Sequence, residues 1–185
     1  ELPTTYETFK NRQSTDANGS VHWNLNWSTP SSSEYYRDVS GISVDINKNG
    51  FIEGYSKYVG SYKYSEYIKI PSVSKLDADE KVKAFIAKVN PEIENQLEWK
   101  EATVGEGNYY YNLSRTVNGI SFPSNTASFT FNGQTGEVTN YYSNWDLKLE
   151  FPSAEKAITA EKAKEIFTEK IRSEEHTSEL QSRQV

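Results

Sequence analysis

The clearest pattern along the chain is a period of two over residues 22–27. Trp23, Leu25 and Trp27 alternate with His22, Asn24 and Asn26. Alternation of this kind predicts a strand that buries its indoles and leucine on one face and turns its polar groups to the other. A strand apolar on one face alone belongs to an antiparallel sheet. Asn18-Gly19 just ahead is a turn signal, and Thr29-Pro30 followed by Ser31, Ser32 and Ser33 reads as a loop. Ile42, Val44 and Ile46 alternate again, residues 47–50 turn the chain, and Phe51 to Tyr58 returns as the partner strand. Gly50 stands where such a turn needs a positive φ. Tyr62 to Ile70 is aromatic and poor in turn residues, which predicts an extended connector or edge strand, broken at Pro71 and Ser72.

The period then changes to that of a helix. Val82, Phe85, Ile86 and Val89 fall on one face. Asp77 is the expected N-cap, with Glu80 completing a capping box, and Asn90-Pro91 ends the segment. Four strands are expected next, at Leu97–Val104, Asn108–Val117, Thr126–Asn132 and Glu137–Trp145. The intervening turns are Gly105-Glu106-Gly107, Asn118-Gly119 and residues 133–136, so the four form a meander. After Pro152 the helical period returns, with Thr159 as cap and Ala163, Ile166 and Phe167 as stripe.

This order suggests an internal repeat. Gly50 and Gly136, Ile52 and Val138, and Tyr55 and Tyr141 are each 86 residues apart; Pro71 and Pro152, Val82 and Ala163, Phe85 and Ile166, and Ile86 and Phe167 are each 81 apart. Such a period is too long for a solenoid and suits a small domain. The expected fold is α+β, in tandem units of one helix packed on a four-stranded antiparallel sheet. Residues 1–70 would be the β part of a first unit, 71–150 a complete unit and 151–171 the opening helix of a third.

Several elements resemble the YcdB/YcdC repeated domain. They are Arg115-Thr116-Val117-Asn118-Gly119-Ile120, Ser128-Phe129-Thr130-Phe131, Thr135-Gly136-Glu137-Val138 and Trp145, with Ile70-Pro71 and Phe151-Pro152 at the unit boundaries. The first unit has only the weaker Arg37-Asp38-Val39-Ser40-Gly41 in place of the Arg-x-x-Asn-Gly element. The resemblance implies a PepSY/cystatin-like fold and a secreted or cell-surface location in Gram-positive bacteria. It carries over no catalytic residue. The function it implies is a non-enzymatic interaction or regulatory module, the alternatives being a PepSY-like protease inhibitor or chaperone segment, or a carboxylate-dependent hydrolase.

Composition narrows the chemistry further. The chain has 185 residues, no Cys and two His, which removes disulfides, thiolate metal sites and a Cys nucleophile. A net charge of −6 argues against a nucleic-acid partner. A mean hydropathy of −0.78 leaves no transmembrane helix. Residues 1–20 show no secretory leader, so the chain is expected to be a mature product or a fragment. Residues 172–182 resemble the in-frame translation of a sequencing adapter, so 172–185 are expected to be a tail foreign to the fold; without them His22 is the one histidine left.

Asp45, Asn47, Asn49 and Gly50 match the first half of an EF-hand loop, but Ser56 stands where a bidentate Glu is required and the flanks read as strands. An Asn-rich hairpin turn is the expectation, with no metal and no cofactor. Asp77, Asp79, Glu80, Glu92 and Glu94 sit at helix starts or in loops, where capping and solvation account for them. His22 lies on the polar face of its strand with no partner to be named, and is expected to be a surface histidine and not a catalytic one. Three N-x-[ST] sequons begin at Asn18, Asn26 and Asn112. The abundant chemistry is aromatic, with 13 Tyr, 8 Phe and 4 Trp. Tyr109, Tyr111 and Leu113 are expected to pack inward. Tyr110, with Tyr141 and Tyr142, is expected to form an exposed aromatic strip, a surface suited to a peptide or a cell-wall glycan.

Overall fold

The computed structural model describes residues 5–31, 39–60 and 70–182. Its strands are β1 (Thr8–Thr15), β2 (Val21–Ser28), β3 (Gly41–Asn47), β4 (Ile52–Tyr58), β5 (Leu97–Glu98), β6 (Thr103–Gly105), β7 (Asn108–Val117), β8 (Ile120–Asn132) and β9 (Glu137–Asn144). Its helices are α1 (Lys75–Val89), α2 (Pro91–Glu94) and α3 (Ala160–Ser182), with a 3-10 turn at Ala154–Lys156. The connector expected at 62–70 lies, apart from Ile70, outside the described residues.

All nine strands join one sheet in the order β1-β2-β3-β4-β9-β8-β7-β5, with β6 also paired to β7, and every pairing is antiparallel. The fold is α+β, with a helix on a large antiparallel sheet. The strands expected on either side of α1 are present, with β1 added at the edge, but they form one continuous sheet in place of separate four-stranded sheets. Each meander ends on an edge strand, β4 or β9, and pairing these two edges satisfies both rows of backbone groups. The seam consists of Gly54 opposite Tyr142, Tyr55 opposite Tyr141 and Ser56 opposite Asn140.

The hairpins on either side of the seam share details. Each carries a one-residue bulge, at Glu53 between the pairs Asp45–Gly54 and Ile46–Ile52, and at Thr139 between Thr130–Asn140 and Phe131–Val138. Gly50 and Gly136 take φ of +82° and +71° in the two turns, a conformation that L side chains rarely adopt. The second loop is one residue longer. The inward positions that match Ile42, Val44 and Ile46 are therefore Ala127, Phe129 and Phe131.

The core lies between α1 and the β7–β9 half. Ala78, Val82 and Ile86 of α1 are fully buried, against Tyr111, Leu113, Phe129, Phe131 and Tyr141. The stripe is thus centred one position from the expected one, and Phe85 and Val89 are only half-buried at its margin. The Phe85 ring still meets Tyr55, Tyr141 and Phe129 at centroid distances of 5.3, 5.8 and 6.4 Å. The helix starts earlier than expected because Ser74, not Asp77, is the N-cap. Ser74 Oγ accepts from the Asp77 amide at 3.2 Å and donates to Asp77 Oδ2 at 2.8 Å, so Asp77 supports the cap from the third helical position.

Asn90 caps the other end and is 1% exposed. Its Oδ1 accepts from the Ile52 amide at 3.1 Å, while its Nδ2 donates to the Ile52 carbonyl at 2.7 Å and to Tyr141 Oη at 2.8 Å. One buried amide thereby ties the helix end to β4 and β9 across the seam. The strand expected at 97–104 is broken at residues 99–102, where Trp99 packs on the core and Lys83 Nζ lies 5.2 Å from its ring centroid. Strand β8 begins at Ile120, not Thr126; residues 123–125 fall between its paired positions, so Pro123 takes no part in the ladder.

Residues 150–185 form a second body. Ser153 Oγ accepts from the Glu155 amide at 3.2 Å to start the 3-10 turn, and Thr159 Oγ1 accepts from the Lys162 amide at 3.2 Å to cap α3. Helix α3 continues through residues 172–182.

Candidate functional site

In an antiparallel sheet, residues directly opposite one another share a face. The pairings therefore place Arg12, Asn24, Asp45, Gly54, Tyr142, Ser128 and Asn112 in one row on the face away from α1. A second row holds Lys10, Asn26, Ser43, Ser56, Asn140, Thr130 and Tyr110. These rows are mostly amides and hydroxyls, with two tyrosines, the Asp45 carboxylate, and Lys10 and Arg12 at the β1 edge. The side chains brace one another: Asn24 Nδ2 donates to Ser43 Oγ at 2.9 Å and to Asp45 Oδ1 at 2.8 Å, Asn140 Nδ2 to Ser56 Oγ at 3.2 Å, and Ser128 Oγ to Asn112 Oδ1 at 3.1 Å. Such ladders hold polar groups in fixed directions.

A shallow cleft of about 310 Å³ runs over this face between Tyr110, Tyr142 and Asp45. Gly54 makes room for it. A Cβ there would stand 2.8 Å from Asp45 Oδ2, so any side chain would push the carboxylate aside. Tyr142 is 61% exposed and Tyr110 is half-buried. Tyr141 does not join them. It is 2% exposed on the α1 side, held by Asn90, and burial raises its phenol pKa above the ordinary value. Adjacent residues of a strand point to opposite faces, so Tyr141 and Tyr142 cannot share a strip.

The half EF-hand is a hairpin turn. Asn47 Oδ1 accepts from the amides of Asn49 at 2.9 Å and Phe51 at 3.2 Å, which commits it to the backbone. Two acids of α1, Asp77 and Asp79, have structural partners. Asp79 meets Lys75 Nζ and Tyr111 Oη, each at 2.8 Å; burial opposes its charge, but these two bonds hold its pKa below the ordinary range. Among the described residues, Asp45 is the one carboxylate lining the cleft.

His22 does have partners, contrary to expectation. Its Nδ1 lies 2.6 Å from Glu53 Oε2 and its Nε2 lies 3.7 Å from Asp16 Oδ2. Asn47 Nδ2 donates to the other Glu53 oxygen at 3.2 Å. The Glu53 hydrogen bond raises the imidazole pKa above its ordinary value, and Asp16 adds to this. The carboxylates hold opposite ring nitrogens, so they do not converge on a common point. Among the described residues no group of three His, Cys, Asp or Glu is placed to hold a metal. Arg115, named above only for the family resemblance, proves a buried anchor: it is 6% exposed and donates to Gln96 Oε1 at 2.8 Å, Asn125 Oδ1 at 3.0 Å and the Asp146 carbonyl at 3.1 Å. It pins the chain leaving β9.

Residues 1–145 match the family model described as the YcdB, YcdC repeated domain. The chain belongs to this family. The C-terminal domain of YpeB from Bacillus megaterium is similar in structure, with a TM-score of 0.58 and 15% sequence identity over 85% of this chain. The chain spans 66% of that domain's length. This likeness concerns the fold, helices on a large antiparallel sheet. No curated protein matches the chain. No described helix is long and apolar enough to cross a membrane.

Proposed function

We propose that this YcdB/YcdC module works outside the bacterial cell or at its surface, holding a partner against the open face of its sheet through Tyr110 and Tyr142. The observation that carries this is Tyr142, which keeps 61% of its surface exposed beside a cleft while its neighbour Tyr141 keeps 2%. An exposed phenol offers a flat apolar face and a polar tip, and the rows of Asn, Ser and Thr around it supply oriented donors and acceptors. That chemistry fits a polypeptide segment or a cell-wall glycan.

The matching bulges and glycine turns support reading 1–70 and 71–150 as tandem units of one plan, with 151–171 opening a third and 172–185 foreign to the fold. Tandem faces raise effective concentration, so each face binds weakly, with a Kd of roughly micromolar or above, and an array binds more tightly. A protease partner would meet the same face, which covers the inhibitor alternative.

The test is binding of the full chain and of its Tyr110→Ala, Tyr142→Ala and double variants to purified cell-wall glycan and to exported proteins. Each substitution is expected to weaken binding up to about tenfold, the equivalent of roughly 0.5–1.5 kcal/mol, with the melting temperature unchanged. Wild-type binding by the double variant, or turnover abolished by removing one carboxylate, would overturn the proposal.

A further inference from the structure

The open face of the sheet lacks one side chain, and the gap lies at the seam. In the row from Asn24 through Asp45, Gly54 and Tyr142 to Ser128, every position but Gly54 carries a side chain that stands above the sheet. The gap therefore falls between a carboxylate and an exposed phenol. Neighbouring strands lie about 4.8 Å apart, so Asp45 and Tyr142 bound a slot roughly 10 Å across between their Cα atoms, with Gly54 as its floor. Gly54 is not one of the positive-φ glycines, so its backbone conformation does not call for glycine. What needs the glycine is the space above it, and a glycine inside a strand often marks a place where a ligand comes close.

The carboxylate wall of the slot is held in place. Asp45 Oδ1 accepts from Asn24 Nδ2, which is itself tied to Ser43 Oγ. Oδ2 is the oxygen that leans over Gly54, 2.8 Å from where a Cβ would stand. Among the described residues no donor meets Oδ2. Nor does any Lys, Arg or His among them line the cleft. Of the bases elsewhere on this face, His22 is held by Glu53, and Arg12 and Lys10 stand on β1, two strands from Asp45. The one charge in the cleft thus lacks a partner there, and it stands across a narrow gap from a ring. A cation in that gap meets the carboxylate and the negative face of the phenol together.

We infer that the slot receives a lysine or arginine side chain of a polypeptide partner, its stem laid over Gly54 along Tyr142 and its cation at Asp45 Oδ2. The shape of the slot selects the source. Lysine and arginine carry their charge at the end of a thin methylene stem, and such a stem fits a gap one side chain wide. An amino sugar carries its ammonium directly on a ring, so the whole ring would have to enter. The net charge of −6 also complements a basic partner. The inference rests on the open-face reading above and narrows its two ligand classes to one.

The test is titration of the isotope-labelled full chain, read from its amide resonances, with Nα-acetyl-lysine amide, Nα-acetyl-arginine amide, Nα-acetyl-norleucine amide and glucosamine. The lysine and arginine probes are expected to move the resonances of Asp45, Gly54 and Tyr142 with a Kd on the order of millimolar, which is what ligands of this size reach. The norleucine probe, which has the stem without the charge, and glucosamine are expected to bind at least about twofold more weakly. Asp45→Asn, at an exposed position, is expected to weaken the lysine probe about two- to fivefold with the melting temperature unchanged. Gly54→Ala, which fills the slot, is expected to lose the lysine probe altogether. Added salt should weaken the lysine probe and leave the norleucine probe unaffected. Equal binding of lysine and norleucine, glucosamine as tight as lysine, or wild-type affinity of Asp45→Asn for lysine would overturn the inference. If it fails while the Tyr110→Ala, Tyr142→Ala double variant still loses its partner, the slot falls and the open-face reading stands. If the double variant also binds like the wild type, both fall.

Discussion

Leu25, Val44 and Tyr55 stand in the same row of the sheet as Tyr141, Phe129 and Tyr111, on opposite sides of the seam. The two triplets have the same strand spacing and flank hairpins with the same bulge. They differ in what lies above them. On one side Val82 and Ile86 seal the row; on the other the residues remain half-buried. Alternation alone therefore sets where strands form and which face is apolar. A close-packed core arises where a second layer arrives, because only then does the apolar area leave water on both sides.

This comparison is sharpest under truncation. Ile86→Ala, in the sealed half, is expected to cost about 2–5 kcal/mol, while Leu25→Ala costs about 1–2 kcal/mol, since less area and fewer contacts are lost. Urea unfolding of both variants measures the difference; equal losses would break the distinction between the halves. Asn90→Ala is next. It strips the Ile52 backbone and Tyr141 Oη of a buried partner on both sides of the seam, an expected loss of about 1–3 kcal/mol. Hydrogen exchange should rise in β4 and β9 together; a rise confined to one strand would show that Asn90 does not couple the halves.

A smaller effect depends on pH. The Glu53 bond raises the His22 pKa in the folded chain, so His22 contributes stability in full below its unfolded value near 6.5, and this is lost as pH rises through the folded value. The gap in melting temperature between the protein and His22→Gln is expected to be widest near about pH 6 and to close at alkaline pH. A gap independent of pH would mean that His22 acts by packing alone. Millimolar calcium should leave the melting temperature unchanged, since Asn47 is committed to its own turn. Deletion of 172–185 should leave it unchanged as well.

Much of the fold was legible because local chemistry determines it. Strands β2, β3, β7 and β9 follow their alternation, and the glycines at 50 and 136 mark their turns. Strand β1 was not legible: Lys10, Asn11, Arg12 and Gln13 give no alternation, and an edge strand with little to bury needs none. The α1 cap was misplaced because Ser74 and Asp77 both suit an N-cap, and only the extra turn of helix decides between them. The seam was hidden for another reason. Two edge strands pair through backbone groups that every sequence possesses, so β4 and β9 carry no code for each other. The site was half legible. Tyr110 and Tyr142 follow from parity, but reading Tyr141 with them ignored that parity. The His22–Glu53 contact spans 31 residues and arises from the Glu53 bulge, beyond the reach of any local rule.

The seam also has a mechanical meaning. Within the second meander β7 and β8 share ten residue pairs, but β4 and β9 are joined by three. A force that draws the two meanders apart within the sheet meets only those three pairs and the Asn90 bonds that span them, so the seam is expected to open before either meander unravels. If the tandem-unit proposal holds, a linked array would then stretch at its seams as stiff plates on compliant joints.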